Sequence, residues 1–367
     1  MKLFKSLLVA PATLGLLAPM SATANEVTVD DFNTAIESTL IAGGEGLVDS
    51  KSYDGGFSET TSASFSVDFG IGAVDGTGIS TGVTDGDEAI ETGYGFQIDL
   101  TTSFTGEDTL AVSIDAGNAA GAVSEFDMNG PYNALEDDVL AVDGVSYTFP
   151  VGGATVMVGD NTDGSELFSK ACVYSGGSDT LGDCGMIHAG FDGLGTMIGA
   201  SYDFDNGFTV AAGYAGDGSS TNGLLTNEGF DEYGFNAMYT GDNYGISLSY
   251  ATVEMADLND NNYTAINAYW APEGFPSVSI GYEWGTDGSE VAAQDGLTSY
   301  FVGLTFEEVG PGSFGVALGS LVPTPEDGTE ALMYEAYYSY PVNDGMTITP
   351  LVFHKEDTAV GNPDETG

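Results

Sequence analysis

The side chains able to do chemistry are few, and nearly all are carboxylates. The chain carries 56 Asp and Glu against five bases, every base a Lys, with two Cys and two His. Cys172 and Cys184 have eleven residues between them, and His188 follows four positions later. In an exported chain two cysteines pair most simply into one disulfide. The alternatives are free thiols, or a metal on the two cysteines and His188, a set without the spacing of zinc sites. The acidic runs at 160–163 and 257–261 could hold calcium, yet neither has the spacing of an EF-hand loop, and both read as solvated loop tips. Catalysis finds no support: His188 and His354 are the only histidines, and no glycine-rich loop leads into a helix. No enzyme, no cofactor and no metal are expected.

The first residues explain why export is assumed. Lys2 and Lys5 precede the apolar run around 7–17, and Ala22-Thr23-Ala24 offers a cleavage site, so residues 1–24 read as a signal peptide. The remaining bases are Lys51, Lys170 and Lys355, which against 56 acids give the mature chain a formal charge of −53. A polyanion of this size excludes nucleic acid, whose binding rests on Lys and Arg neutralising phosphates. No later run approaches the roughly 18 apolar residues of a membrane-crossing helix, so any membrane must be crossed by strands.

Strands are what the rest of the sequence spells. From Thr60 onward apolar and aromatic residues recur at every second position in segments of about ten. Fifteen segments are expected, near 60–70, 92–104, 109–117, 143–150, 153–160, 196–204, 207–215 and 230–240, then 243–253, 262–271, 276–285, 297–306, 313–320, 332–340 and 345–354. Short and long connections alternate between them. The apolar face, expected to meet lipid, includes Tyr94, Phe96, Ile98, Tyr233, Phe235, Tyr244, Ile246, Leu248, Tyr282, Trp284, Tyr300 and Tyr338. The opposite face is mostly Gly, Ala, Ser, Thr and Asn, which suits the wet, crowded interior of a barrel better than the charged surface of a sandwich. Aromatic residues gather at segment ends, as girdles would. Asp99, Asp115, Asp203, Glu283 and Glu335 fall on the inner face, no expected strand carries a cation, and such a lumen favours cations.

A bacterial barrel needs an even number of strands so that no edge meets lipid. The expectation is therefore a 16-strand transmembrane antiparallel β-barrel over 57–367 with its closing strand missing and residues 364–367 in the last outer loop. Residues 25–56 form a short periplasmic segment. The segment 186–192 also reads as a strand but breaks the short-long alternation, so it is assigned to the third outer loop, 160–195. That loop is the candidate constriction.

The start MKLFKSLLVAPATLGLLAP, the segment GYGFQIDLTTSFTGEDTLAVSIDAGN, the hairpin GASYDFDNGFTVAAGYAG and the stretch YEAYYSYPVNDGMTITPLVF resemble the cyanobacterial outer-membrane porins, of the carbohydrate-selective, OprB-type family. The resemblance implies an outer-membrane diffusion channel for small hydrophilic solutes and inorganic ions, carbohydrate passage, and a homotrimer. Such relatives carry a surface-layer-homology segment and a coiled coil before the barrel. The 32 residues from Asn25 to Gly56 are too few for both, which puts a cell-wall tether in doubt. The rival readings are an envelope barrel without an open pore, structural or adhesive, and a secreted β-sandwich binding calcium or glycans.

Overall fold

A computed structural model describes residues 61–76, 89–119, 123, 125–126, 128, 139–191, 194–218, 223–226, 229–254, 260–288, 294–325, 328–357 and 364–367. The expected leader, the segment 25–56 and the acidic run at 257–259 lie outside them.

Period-two patterning becomes a single antiparallel sheet. Its first half comprises β1 (Thr61–Gly72), β2 (Glu91–Thr102), β3 (Thr109–Gly117), β4 (Ala141–Val151), β5 (Ala154–Asp163), β6 (Leu194–Asp203), β7 (Phe208–Gly216) and β8 (Asp231–Thr240). The second half comprises β9 (Tyr244–Glu254), β10 (Asn261–Trp270), β11 (Ser277–Asp287), β12 (Gln294–Val309), β13 (Gly312–Ser320), β15 (Leu332–Asn343) and β17 (Leu351–Lys355). These strands pair in sequence order, each antiparallel to the next.

All fifteen expected segments overlap strands, but eighteen strands are present among the described residues. The segment expected at 345–354 divides into β16 (Met346–Ile348) and β17, since Pro350 brings no N–H to the ladder there. The two-residue β14 (Thr324–Pro325) pairs with β12 inside an expected loop. β18 (Glu365–Thr366) lies where an outer loop was expected and pairs with β17 instead. Its Thr366 exchanges two backbone hydrogen bonds of 2.8 Å with Asp75, just beyond β1. The ends of the sheet meet there, but among the described residues the sheet does not close along its length.

One face of the sheet is greasy and open. Phe235 is 57% exposed, and Tyr233, Tyr244, Ile246, Leu248, Tyr282 and Trp284 are exposed beside it. The alternate positions Ser247, Ser249 and Ala251 of β9 are buried, so the two faces differ as the sequence predicts. Aromatic rings face each other across the short turns: Phe204 with Phe208, Tyr239 with Tyr244 and Phe306 with Phe314, at centroid distances of 5.5, 5.9 and 6.1 Å. What buries the other face is the chain itself. Residues 164–191, between β5 and β6, and residues in the connection from β3 to β4 pack against it.

Candidate pore constriction

The wall that receives the loop is written in rows across the strands. Register aligns Asn236, Ser249, Ala265, Glu283 and Ser299 across β8 to β12. The neighbouring row runs Ser247, Asn267, Gly281, Phe301, Gly319, Met333 and Lys355. Small polar side chains in such rows can satisfy a main chain lying across them, which is what buried backbone donors and acceptors require.

The descending leg of the loop uses every second N–H. Ser169 N–H donates to Asn236 Oδ1 at 2.9 Å while Asn236 Nδ2 donates to the Ser169 carbonyl at 3.0 Å. Ala171 N–H donates to Ser247 Oγ and Val173 N–H to Ser279 Oγ, each at 3.0 Å. The leg is therefore extended and steps across β8, β9 and β11, two residues per contact. Tyr174 ends it between Phe301 and Tyr337, with ring centroids at 5.3 and 5.7 Å, and donates its hydroxyl to Glu335. Burial, followed by the Glu335 charge, pushes the Tyr174 hydroxyl far above the ordinary phenol range.

The returning leg starts at a one-turn helix, α1 (Asp179–Gly182), capped by Ser178. The Cys184 carbonyl accepts from Asn267 Nδ2 at 2.8 Å, and the Gly185 carbonyl from Ser299 Oγ at 3.2 Å. Glu283 Oε2 then accepts the N–H groups of both His188 and Ala189, at 2.9 and 2.7 Å. The loop approaches so closely that several wall positions must be glycine, Gly281 and Gly303 among them. A Cβ on Gly281 would sit 1.8 Å from the Cys184 carbonyl oxygen, and one on Gly303 would sit 2.6 Å from the Tyr174 ring. A Cys172–Cys184 disulfide with a Cα separation of 6.5 Å ties the legs together. With both sulfurs joined, the metal reading loses its ligands. His188 instead places its ring 4.6 Å from that of Tyr263. The segment 186–191 is loop, as assigned.

A second inward piece braces the loop. The Glu125 carbonyl accepts Asp179 N–H at 2.9 Å, and Glu125 Oε2 pairs with Lys355 in full burial. This corrects the expectation that no strand carries a cation: Lys355 is the last residue of β17, one position past the expected end, and points inward with Leu351 and Phe353. It lies in the same row as Met333 and Glu365.

The five expected inner acids therefore differ in what they do. Glu283 and Glu335, 1% and 5% exposed, lie beneath the loop and hold it. Asp203 accepts the Asp205 N–H at 2.8 Å and shapes a turn. Asp99 and Asp115 lie on the wall of β1 to β3, in the rows Ser64–Asp99–Ser113 and Ser66–Gln97–Asp115. Asp99 Oδ1 accepts from Gln97 Nε2 and Ser113 Oγ, each at 2.8 Å, and Oδ2 accepts from Ser64 Oγ at 3.5 Å. Asp115 is buried, whereas Ser64, Ser66, Gln97, Asp99 and Ser113 keep partial exposure. Sequence reasoning missed the serines and asparagines that hold the loop. Their signal was visible as Ser247, Ser249, Ser279 and Asn236 at inward positions, but nothing in it named the loop as their partner.

No family model matches the sequence, and no curated protein matches it. Among solved structures, a substituted form of the Rh. blastica porin aligns with a TM-score of 0.51 at 14% identity, covering 83% of this chain and 97% of that one. The OprB of Pseudomonas putida aligns with a TM-score of 0.54 at 12% identity, covering 83% and 91% respectively. The large antiparallel sheet thus has a solved counterpart in these two proteins: the chain has the porin fold.

Proposed function

We propose that this protein is a passive channel of an outer membrane, admitting small hydrophilic solutes and inorganic ions and preferring cations. The observation that carries the reading is the loop bound to the inner face of a sheet whose outer face is apolar. Such an element narrows a passage without sealing the sheet to lipid. The passage runs beside β1 to β4, where Asp99 and its hydroxyl and amide neighbours keep partial exposure. Carboxylates in a low-dielectric wall attract positive ions and repel negative ones. The outer faces carrying Tyr94, Phe96, Ile98, Tyr300 and Tyr338, each half-buried, meet lipid. Residues 1–24 direct export and 25–56 lie in the periplasm ahead of the barrel. Carbohydrate passage and assembly into a homotrimer follow from the resemblance to OprB-type porins.

The test is the reversal potential of the protein in a planar bilayer across a potassium chloride gradient. A potential of the sign set by potassium supports the reading. Anion preference would overturn the lumen assignment, and inserted protein that never conducts would favour an envelope barrel whose loops fill it.

A further inference from the structure

The acidic run at 160–163, which the sequence presents as a loop tip, belongs to β5 and is bent there by a bulge. Asp160 and Asn161 stand against Thr196 alone, and Asn161 has a φ of +53°. A second bulge lies on the neighbouring strand β4, where Asp143 is the extra residue between Val142 and Gly144. The Asn161 amide donates to the Asp143 carbonyl and joins the two bulges. Bulges re-aim side chains out of the regular pleat, and they gather beside functional sites.

What the bulges bring together is oxygen. Gly144 extends the inward row Ser64–Asp99–Ser113 onto β4. A Cβ there would lie 2.9 Å from the Asn161 carbonyl oxygen and 3.0 Å from Thr162 Oγ1, so both oxygens sit on the inward side, next to Asp143. The Thr162 hydroxyl gives its proton to the Asp160 carbonyl at 3.1 Å, which leaves its lone pairs for an ion. Asp115, inward on β3 and 8% exposed, is near enough to Asp143 for the two charges to act on each other. Among the described residues its carboxylate accepts a bond only from its own N–H. A buried carboxylate beside a second one requires a positive partner. No described lysine supplies it, since Lys170 pairs with Asp183 and Lys355 with Glu125. A divalent ion neutralises both acids at once. Two carboxylates, a main-chain carbonyl and a hydroxyl are a hard, all-oxygen set that suits calcium, with water filling the rest of its roughly six to eight positions. Magnesium holds to a compact octahedron and gives up water reluctantly, so donors spread over three strands fit it less well. We propose that Asp115, Asp143, the Asn161 carbonyl and Thr162 Oγ1 form a calcium site in the wall of the passage, and that the bound ion lowers the channel's preference for cations. The second clause rests on the channel reading; the first does not.

Calcium chloride is titrated calorimetrically into the full chain, stripped with EDTA and held in a neutral maltoside detergent with about 0.1 M potassium chloride, which screens diffuse attraction to the other acids. Saturable binding is expected with a Kd of roughly 10⁻⁴–10⁻³ M, as in exported calcium modules, and magnesium should bind about tenfold or more weakly. Asp143→Asn should lose about tenfold or more in calcium affinity, because such sites are tuned by their charge count. Asp160→Asn is the control from the same acidic run: its carboxylate accepts from Thr196 Oγ1 at 3.2 Å, and this variant should bind calcium as the parent does. Both positions are exposed, so the variants keep their fold, which unheated gel migration checks. Uptake that never saturates, unchanged affinity in Asp143→Asn, or magnesium bound as tightly as calcium overturns the site. In a bilayer, calcium at about 1 mM should move the potassium reversal potential toward zero in the parent and leave it in place in Asp143→Asn. Saturable binding without that movement overturns the effect on ion preference. Saturable binding to a barrel that never conducts supports the site and sinks the channel reading, whereas a cation-preferring channel that takes up no calcium does the reverse.

Discussion

Two parts of the inner wall began from the same pattern and reached different ends. On β8 to β12, Asn236, Ser247, Asn267, Ser279 and Ser299 are 0–4% exposed and each bonds to the main chain of the loop. On β1 to β3, Ser64, Gln97 and Ser113 are partly exposed and converge on Asp99. Small polar residues at inward positions therefore have no fixed role. Where residues 164–191 bond to them they replace that loop's water, and around Asp99 they surround a partly exposed carboxylate.

Breaking the covered side should have the largest effect. Lys355→Met leaves Glu125 without its partner in a fully buried setting, and removing one member of such a pair typically costs about 3–5 kcal/mol. The temperature at which the barrel loses its compact gel form should fall clearly. The C172S/C184S variant releases a cross-link between residues 12 apart, worth roughly 3 kcal/mol by chain entropy. Protease susceptibility between 164 and 191 reads that loss, and unchanged resistance would mean the hydrogen bonds alone hold the loop. Ser247→Ala and Ser279→Ala each strand one loop N–H, at about 1–3 kcal/mol. Their signature should be a noisier and larger conductance rather than lost insertion.

Two smaller effects sharpen the contrast on the other side. Asp108, in the turn between β2 and β3, is held well below the usual carboxylate range by hydrogen bonds from Thr105 first and then Tyr147. A carboxyl lowered on folding adds stability above its ordinary value of 3.8 and loses it as pH falls through and below that value. The gain in stability from pH 3 to pH 6, followed by thermal unfolding, should therefore be smaller in Asp108→Asn than in the parent. Asp99→Asn should change stability least, within about 0.5 kcal/mol for a partly exposed site away from the buried network. It should nevertheless move the reversal potential toward zero, whereas Glu283→Gln beneath the loop should alter conductance more than ion preference. An equal selectivity shift in both variants would erase the distinction between the two walls.

Much of the sheet was legible because period-two alternation is dictated by the pleat: Tyr244, Ile246 and Leu248 could share only one face. The cysteine pairing was legible from their number. The division at Pro350 and the strand at Glu365–Thr366 were not, because a two-residue pairing leaves no periodic trace. Lys355 escaped for a similar reason, since strand ends are fixed by partners distant in sequence, here Met333. The roles of Glu283 and Glu335 were hidden more deeply. Facing inward is a local property of a strand, but facing a loop or facing water depends on where residues 164–191 lie, and only long-range packing decides that.

The link between Cys172 and Cys184 is also lopsided in its accessibility. Cys184 is 1% exposed, enclosed by loop and wall together, whereas Cys172 keeps partial exposure, so a redox agent meets the link at the Cys172 sulfur. Attack at that sulfur would release the buried thiol of Cys184 inside the protein, so the cross-link that sets the loop's shape has its one open side on the Cys172 leg.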